Sequence, residues 1–292
     1  MHNHDAIIVG AGFAGLYMLL RLRRLGMNAR VLEAGDNVGG TWYWNRYPGA
    51  RCDIESLEYS YQFDEELQQE WEWTERYAAQ PEILAYINHV ADRFQLREDI
   101  QFNTRVASAL YDEDSATWQV TTDEGEQHRA NFVVAATGVL SVPNDPDIPG
   151  KETFAGETYH TGRWPHHEVD FSGKRVGVIG TGSSAIQSIP LIAEQAGELY
   201  VFQRTAAYSV PAHNGPLSVQ TQQSVKARYA EIRERNQLEP LGFGARHPGN
   251  SGAVMDLDEK DRRRQFEHHW LLGGLHYFRT FGDLIFDPDA NQ

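Results

Sequence analysis

Two glycine-rich turns of the dinucleotide-cradling type stand in one chain, Gly10-Ala11-Gly12-Phe13-Ala14-Gly15 near the start and Gly180-Thr181-Gly182-Ser183-Ser184-Ala185 past the middle. Each has the context such a turn requires. Ala6-Ile7-Ile8-Val9 and Val176-Gly177-Val178-Ile179 read as buried parallel strands, and helical patterns follow over 16–25 and 184–193. Glycines let the backbone approach a pyrophosphate, which the helix N-terminus then binds. The pattern predicts an α/β chain with two Rossmann-like, three-layer dinucleotide-binding domains, and one cofactor for each points to a redox enzyme.

The two turns differ in the residue that ends the next strand. After Gly15 the chain runs through Ala29-Arg30-Val31-Leu32 to Glu33, a carboxylate placed to accept hydrogen bonds from ribose hydroxyls and to repel a 2′-phosphate. After Gly182 the equivalent strand, Leu199-Tyr200-Val201-Phe202, leads to Gln203-Arg204-Thr205, where a guanidinium suits a 2′-phosphate. The first site reads as FAD or NAD and the second as NADPH. A single such turn also occurs for packing alone; two copies with opposite endings argue against that reading.

Composition restricts the rest. The 292 residues suit two α/β units, and a net charge of -15 argues against a nucleic-acid or anionic-membrane partner. No apolar run approaches the ~20 residues of a membrane span, and a first strand at Ala6 leaves no room for a signal peptide, so a cytoplasmic protein is expected. Cys52 is the only cysteine, which excludes a Cys-x-x-Cys dithiol. Residues 81–94 carry apolar positions at helical spacing, whereas 101–106, 107–112 and 117–122 read as short strands. Phe132-Val133-Val134-Ala135-Ala136 reads as a buried strand. Pro143, Pro146 and Pro149 mark a linker, dividing the chain into an FAD-binding domain at 1–149 and an NADP-binding domain at 150–292. The charged run 258–264 reads as a solvated helix face.

Two further stretches narrow the chemistry. The loop 39–53 packs glycines, Trp42, Tyr43, Trp44 and Tyr47 ahead of Arg51-Cys52-Asp53, and Phe154, Gly156, His160, Trp164 and Pro165 precede the second turn. On physics alone the loop could be aromatic core and His160 a hinge residue satisfying backbone groups. Asp53 is either an ordinary loop ion pair or a carboxylate that tunes a cation or proton transfer near the flavin.

With these residues in place the chain resembles the type I Baeyer-Villiger monooxygenases, the 39–53 loop being similar to the flavin loop of the phenylacetone and steroid enzymes. The resemblance covers essentially the whole chain. It implies an enzyme in which NADPH reduces FAD, O2 adds to form a C4a-peroxyflavin, and a ketone becomes an ester or lactone. Residue by residue, it places Gly10, Gly12, Phe13, Ala14, Gly15 and Glu33 on the FAD adenosine and pyrophosphate, Thr41, Trp42 and Tyr59 along the flavin, and the Val106 backbone at the adenine. It places Gly180, Thr181, Gly182, Ser183, Ser184, Ala185 and Gln187 at the NADP pyrophosphate, Arg204 and Thr205 at the 2′-phosphate, and Arg51 and Cys52 beside the nicotinamide. Asp53 matches the aspartate that orients the catalytic arginine, and His160 a residue coupling domain motion to catalysis.

Members of that family continue past a helical insertion to a Lys-Arg pair, which this chain does not reach. Both domains are therefore expected to be incomplete at their C-terminal side, and the chain to be a fragment, an incomplete gene model or half of a split enzyme with a partner half in trans. Alone it is expected not to oxidise ketones, since a desolvated peroxy anion needs the missing cation. The alternatives are a flavin monooxygenase acting on amines or sulfides, and a non-catalytic nucleotide-binding fragment.

Overall fold

The structure, a computed structural model, describes residues 2–239, 241–249 and 252–290. Asn291 and Gln292, the end of the segment expected to bind NADP, lie outside the described residues. Strand β1 (His2–Val9) runs into the first glycine turn, which opens α1 (Phe13–Arg24), and β2 (Ala29–Leu32) returns parallel to β1 with Val9 opposite Leu32. There follow α2 (Thr41–Trp44), α3 (Glu65–Glu70), α4 (Gln80–Arg93), β3 (Ile100–Gln101), β4 (Val106–Asp112), β5 (Thr117–Thr122) and β6 (Gln127–Ala135). These strands form one six-stranded sheet in the order β3-β2-β1-β6-β5-β4, parallel from β3 to β6 and antiparallel beyond.

The apolar run of β1 is explained by its central place. A parallel strand covered on both faces has no solvent side, and Ala6, Ile7 and Ile8 are all buried. Ile7, Leu32, Val120 and Ala130 form one core cluster across four strands. Helix α1 packs on β1 and β2 and buries Leu16 and Leu19, while α4 buries Ile83, Tyr86, Ile87 and Val90, the expected helical face.

The second part of the chain holds β7 (Arg175–Ile179), α5 (Ser183–Ala193), β8 (Glu198–Phe202), α6 (Val219–Lys226), α7 (Tyr229–Asn236) and α8 (Glu259–Leu272). Asp258 caps α8 by accepting from the Asp261 N–H at 2.9 Å, and the charged run at its start is solvated as expected.

Four local expectations change. β7 and β8 are not buried as expected: among the described residues they pair with no other strand, and Ile179 is 68% and Phe202 58% exposed. The C-terminal part of β6 is likewise open, with Phe132 58% exposed. The 101–106 strand shrinks to Ile100–Gln101, since β2 is too short to pair more of it. The 39–53 loop contains the helical turn α2.

The chain divides into two compact units. One comprises Met1–Ala50, Gln80–Val178 and Ser183–Tyr200; the other comprises Arg51–Ala79, Ile179–Gly182 and Val201–Gln292. The first holds the six-stranded sheet with α1, α2, α4 and α5. The second joins the loop around Asp53 to the helices α3, α6, α7 and α8.

Candidate cofactor cradle and the Asp53 loop

In the first turn, backbone packing leaves room only for glycine at two positions. Gly10 adopts φ +103°, and a Cβ there would stand 2.7 Å from the Ala136 carbonyl oxygen; a Cβ on Gly15 would stand 1.9 Å from the Gly10 oxygen. Glu33 is the buried post behind this turn. Its carboxylate accepts the Ala11 N–H at 2.6 Å and the Gly35 N–H at 2.7 Å, so it braces the turn. A ribose diol would use the lone pairs that these amides leave. The Glu33 N–H donates to the Gln101 carbonyl at 2.9 Å and its carbonyl accepts from the Thr104 N–H at 2.8 Å, which runs the segment leading into Val106 alongside the same strand end. Phe13 begins α1 beside Tyr86, ring centroids 6.2 Å apart, and Ala14 is exposed.

The aromatic loop closes on the turn. Gly39 donates to the Ala11 carbonyl at 3.0 Å, and Gly40, at φ +53°, lies so close that a Cβ there would meet the Gly12 Cα at 2.8 Å. Thr41 and Trp42 follow on α2, Trp42 buried with its carbonyl accepting the Gln80 amide. Tyr43 donates to Asp36 at 2.7 Å, carries the Arg46 guanidinium 5.2 Å above its ring, and meets His166 edge-on at 5.0 Å. Tyr47, which sequence reasoning left without a role, donates to the Gln187 side chain on α5 at 2.8 Å.

In the second unit the segment 51–60 is laid against 73–79. Arg51 donates to Glu75 at 2.6 Å and to the Tyr77 carbonyl at 2.9 Å, holding the Glu75 carboxyl below its usual range, with Asn214 adding a bond at 2.7 Å. The Cys52 N–H donates to the Ala78 carbonyl at 3.1 Å; burial pushes its thiol up to about 12, so it is a protonated packing residue rather than a nucleophile. Asp53 is exposed and Tyr59 half-buried, its N–H donating to the Glu55 carbonyl at 2.9 Å.

Glu55, two residues from Asp53, is the group that sequence reasoning missed. It is buried and accepts from Arg76 through Nε at 2.8 Å and Nη2 at 2.6 Å, with Arg246 on its other oxygen and His276 at 3.3 Å. Burial alone would raise its pKa, but the His276 hydrogen bond and the Arg246 and Arg76 charges outweigh it and hold the carboxyl at about 2. Neighbouring His247 is driven by burial down to about 4 and is neutral at pH 7. Arg233 donates to the Glu58 and Leu57 carbonyls at 2.9 and 3.2 Å, so the backbone after Asp53 is tied at several points. No signal in a single sequence announces Glu55, because its partners lie 21, 191 and 221 residues away.

The second turn repeats the backbone of the first with an open surround. Gly180 also has φ +103°, and its N–H donates to the last residue of β8, Phe202, at 2.9 Å, as that of Gly10 does to Leu32. A Cβ on Gly180 or Gly182 would meet nothing within 4 Å. Gln203 donates to the Thr181 hydroxyl at 2.9 Å, and Arg204 and Thr205 are exposed. Ser183, Ser184, Ala185 and Gln187 occupy the first turns of α5. Ahead of the turn, His160 accepts the Gly162 N–H at 3.0 Å and approaches the Asn144 carbonyl at 3.3 Å, while Arg163 pairs with Asp145. The proline linker is thus fastened to the Phe154–Pro165 stretch. Trp164 packs with Tyr159 and Phe171 at 5.5 and 6.2 Å, and Phe154 is exposed.

This architecture matches the family model for pyridine nucleotide-disulphide oxidoreductases over residues 7–240. The chain belongs to that family. Within the pyridine nucleotide-disulphide oxidoreductases it carries no dithiol, Cys52 being its single cysteine. It is 44% identical to the phenazine N-monooxygenase PhzNO1 of Lysobacter antibioticus, covering 99% of this chain and 54% of that one. To a Baeyer-Villiger monooxygenase of Pseudooceanicola batsensis it is 43% identical, covering 99% of this chain and 53% of that one. The solved structure of an oxidised steroid monooxygenase bound to NADP superposes with a TM-score of 0.94 at 53% identity, over 99% of this chain and 55% of that one. The resemblance to Baeyer-Villiger monooxygenases and the α/β fold read from the sequence are borne out. The chain spans about half the length of the curated relatives it matches. Among the described residues no helix is long and apolar enough to cross a membrane.

Proposed function

We propose that this chain is the cofactor-binding part of an FAD- and NADPH-dependent monooxygenase that inserts one oxygen of O2 next to a ketone carbonyl, with 1–149 binding FAD and 150–292 binding NADP, working in the cytoplasm. The observation that carries the reading is the first cradle: glycines with no room for a Cβ, a helix N-terminus, and Glu33 fixed at the strand end. When bound, the flavin supplies electron transfer from NADPH and the activation of O2. Gly10, Gly12, Phe13, Ala14 and Gly15 hold the pyrophosphate of FAD, Glu33 its ribose and the Val106 backbone its adenine, while Thr41, Trp42 and Tyr59 border the isoalloxazine. Gly180 to Gln187 hold the second pyrophosphate and Arg204 with Thr205 the 2′-phosphate.

Arg51 and Cys52 border the nicotinamide. Asp53 orients a cation beside the reacting oxygen, and the Glu55 ion cluster fixes the backbone from which Asp53 projects. His160 couples the linker to catalysis through the Asn144 and Gly162 contacts. The remaining part of the enzyme, continuous or in trans, supplies the arginine. The chain joined to such a part should form ester from cyclohexanone or phenylacetone with NADPH and O2, read by gas chromatography; oxygen uptake without ester from any ketone would refute the reading.

A second reading, N-oxygenation, is favoured by the 44% identity to a phenazine N-monooxygenase. The same assay with phenazine-type amines separates the two.

A further inference from the structure

The loop 39–50 touches both the first glycine turn and helix α5. At its start Gly39 donates to the Ala11 carbonyl at 3.0 Å and Gly40 lies against Gly12, so the loop is seated on the first turn. At its end Tyr47-Pro48-Gly49-Ala50 forms a tight turn of its own. The Ala50 N–H donates to the Tyr47 carbonyl at 3.1 Å, and Gly49 has φ +78°, the value a type II turn requires at the position after proline. That turn rests on α5: the Tyr47 hydroxyl donates to the Gln187 Oε1 at 2.8 Å, and a Cβ on Gly49 would stand 2.2 Å from the Gln187 carbonyl oxygen. Between the two ends Arg46 donates through Nε and Nη2 to the Tyr43 carbonyl at 3.0 and 2.7 Å and covers the Tyr43 ring, which braces the loop along its length.

A glutamine amide has an acceptor end and a donor end, and only its NH2 can donate to a phosphate oxygen. Because Tyr47 donates to the amide oxygen, its hydrogen bond fixes which end is which. Gln187 is one of the residues read above as holding the second pyrophosphate, and the inference rests on that reading. We propose that Tyr47 is a positioning residue that couples the two nucleotide sites: through it the loop seated on the FAD cradle sets Gln187 for the pyrophosphate of NADP, and each nucleotide tightens the other. The physical basis is shared ordering. A ligand that holds the first turn also holds the loop resting on it, and a ligand that holds α5 holds the same loop from its other end, so the second to bind has less left to order. Linkage makes the gain equal in both directions.

The test titrates the folded chain calorimetrically with NADP+, with and without saturating FAD, and with FAD, with and without saturating NADP+. Each nucleotide should tighten the other about 5-fold, the worth of one neutral hydrogen bond, and NADP+ alone should slow amide hydrogen exchange in 39–50. Tyr47→Phe removes the hydroxyl and keeps the ring. It should erase both gains and the exchange effect, while the affinity for FAD alone and the far-ultraviolet circular dichroism stay unchanged. Added to Gln187→Ala it should weaken NADP+ no further, since Tyr47 acts through Gln187; a merely structural role would add a second loss. Affinities independent of each other in the parent chain, or gains that survive Tyr47→Phe, would overturn the proposal and leave the two sites standing. A folded chain that binds neither nucleotide would overturn the reading of the sites and the proposal with it.

Discussion

The two glycine turns share one backbone and live in different surroundings. Gly10 and Gly180 have the same φ, and each donates its N–H to the last residue of the neighbouring strand. Around the first turn everything is filled: the Ala136 carbonyl, Gly40 and the Glu33 carboxylate all touch it. Around Gly180 and Gly182 there is open space, and where the first turn has Gly15 the second carries Ala185. The same motif therefore does two jobs. In the first turn glycine is a packing requirement; in the second it is a conformational requirement at Gly180, and at Gly182 nothing in the protein crowds a side chain.

That contrast can be broken by substitution. Gly15→Ala should have the largest effect, since its Cβ would lie 1.9 Å from a backbone oxygen that cannot rotate away. We expect a loss of about 3 kcal/mol or more, read as the urea midpoint at constant slope; a loss under about 1 kcal/mol would show the turn to be looser than described. Glu55→Gln should cost about 3 kcal/mol by removing the charge between Arg76 and Arg246. Because the folded pKa of Glu55, about 2, lies below that of an unfolded glutamate, its contribution is complete above roughly pH 4.5 and is lost as pH falls towards 2. The urea midpoint of the variant should accordingly fall less as pH is lowered through that window than that of the parent. Arg204→Ala, at an exposed side chain, should leave stability unchanged while weakening NADPH by roughly 1.5–3 kcal/mol and NADH hardly at all; equal losses with both would remove the 2′-phosphate role. Gly182→Ala should be the mildest for folding, within about 0.5 kcal/mol, its Cβ meeting nothing within 4 Å.

Much of the fold was legible because it depends on local pattern. The β1 run, the two turns and the apolar face of α4 each state their structure within a dozen residues. What was not legible depends on what covers a surface. Val176 to Ile179 reads as a buried strand by composition, but burial on both edges needs strand neighbours, and among the described residues β7 pairs only with β8. The site shows the same division. The place of Glu33 at the end of β2 was readable from its distance to Gly15, although its bracing bonds to Ala11 and Gly35 were not. Those bonds change how it should be tested, because Glu33→Arg would bury a cation against two backbone N–H groups and disturb folding together with binding. Glu55 and Tyr47 were invisible, their partners being remote in sequence and their residue types common in solvated loops.

The central claim is that the packed turn takes FAD and the open turn takes NADP. It is tested most directly by calorimetric titration of the folded chain and of its Glu33→Gln and Arg204→Ala variants, each with FAD and with NADP+. The account predicts that Glu33→Gln weakens FAD at least 10-fold and leaves NADP+ unchanged, whereas Arg204→Ala weakens NADP+ by a similar factor and leaves FAD unchanged. A crossed result, or one variant weakening both ligands in a protein that remains folded, would contradict it.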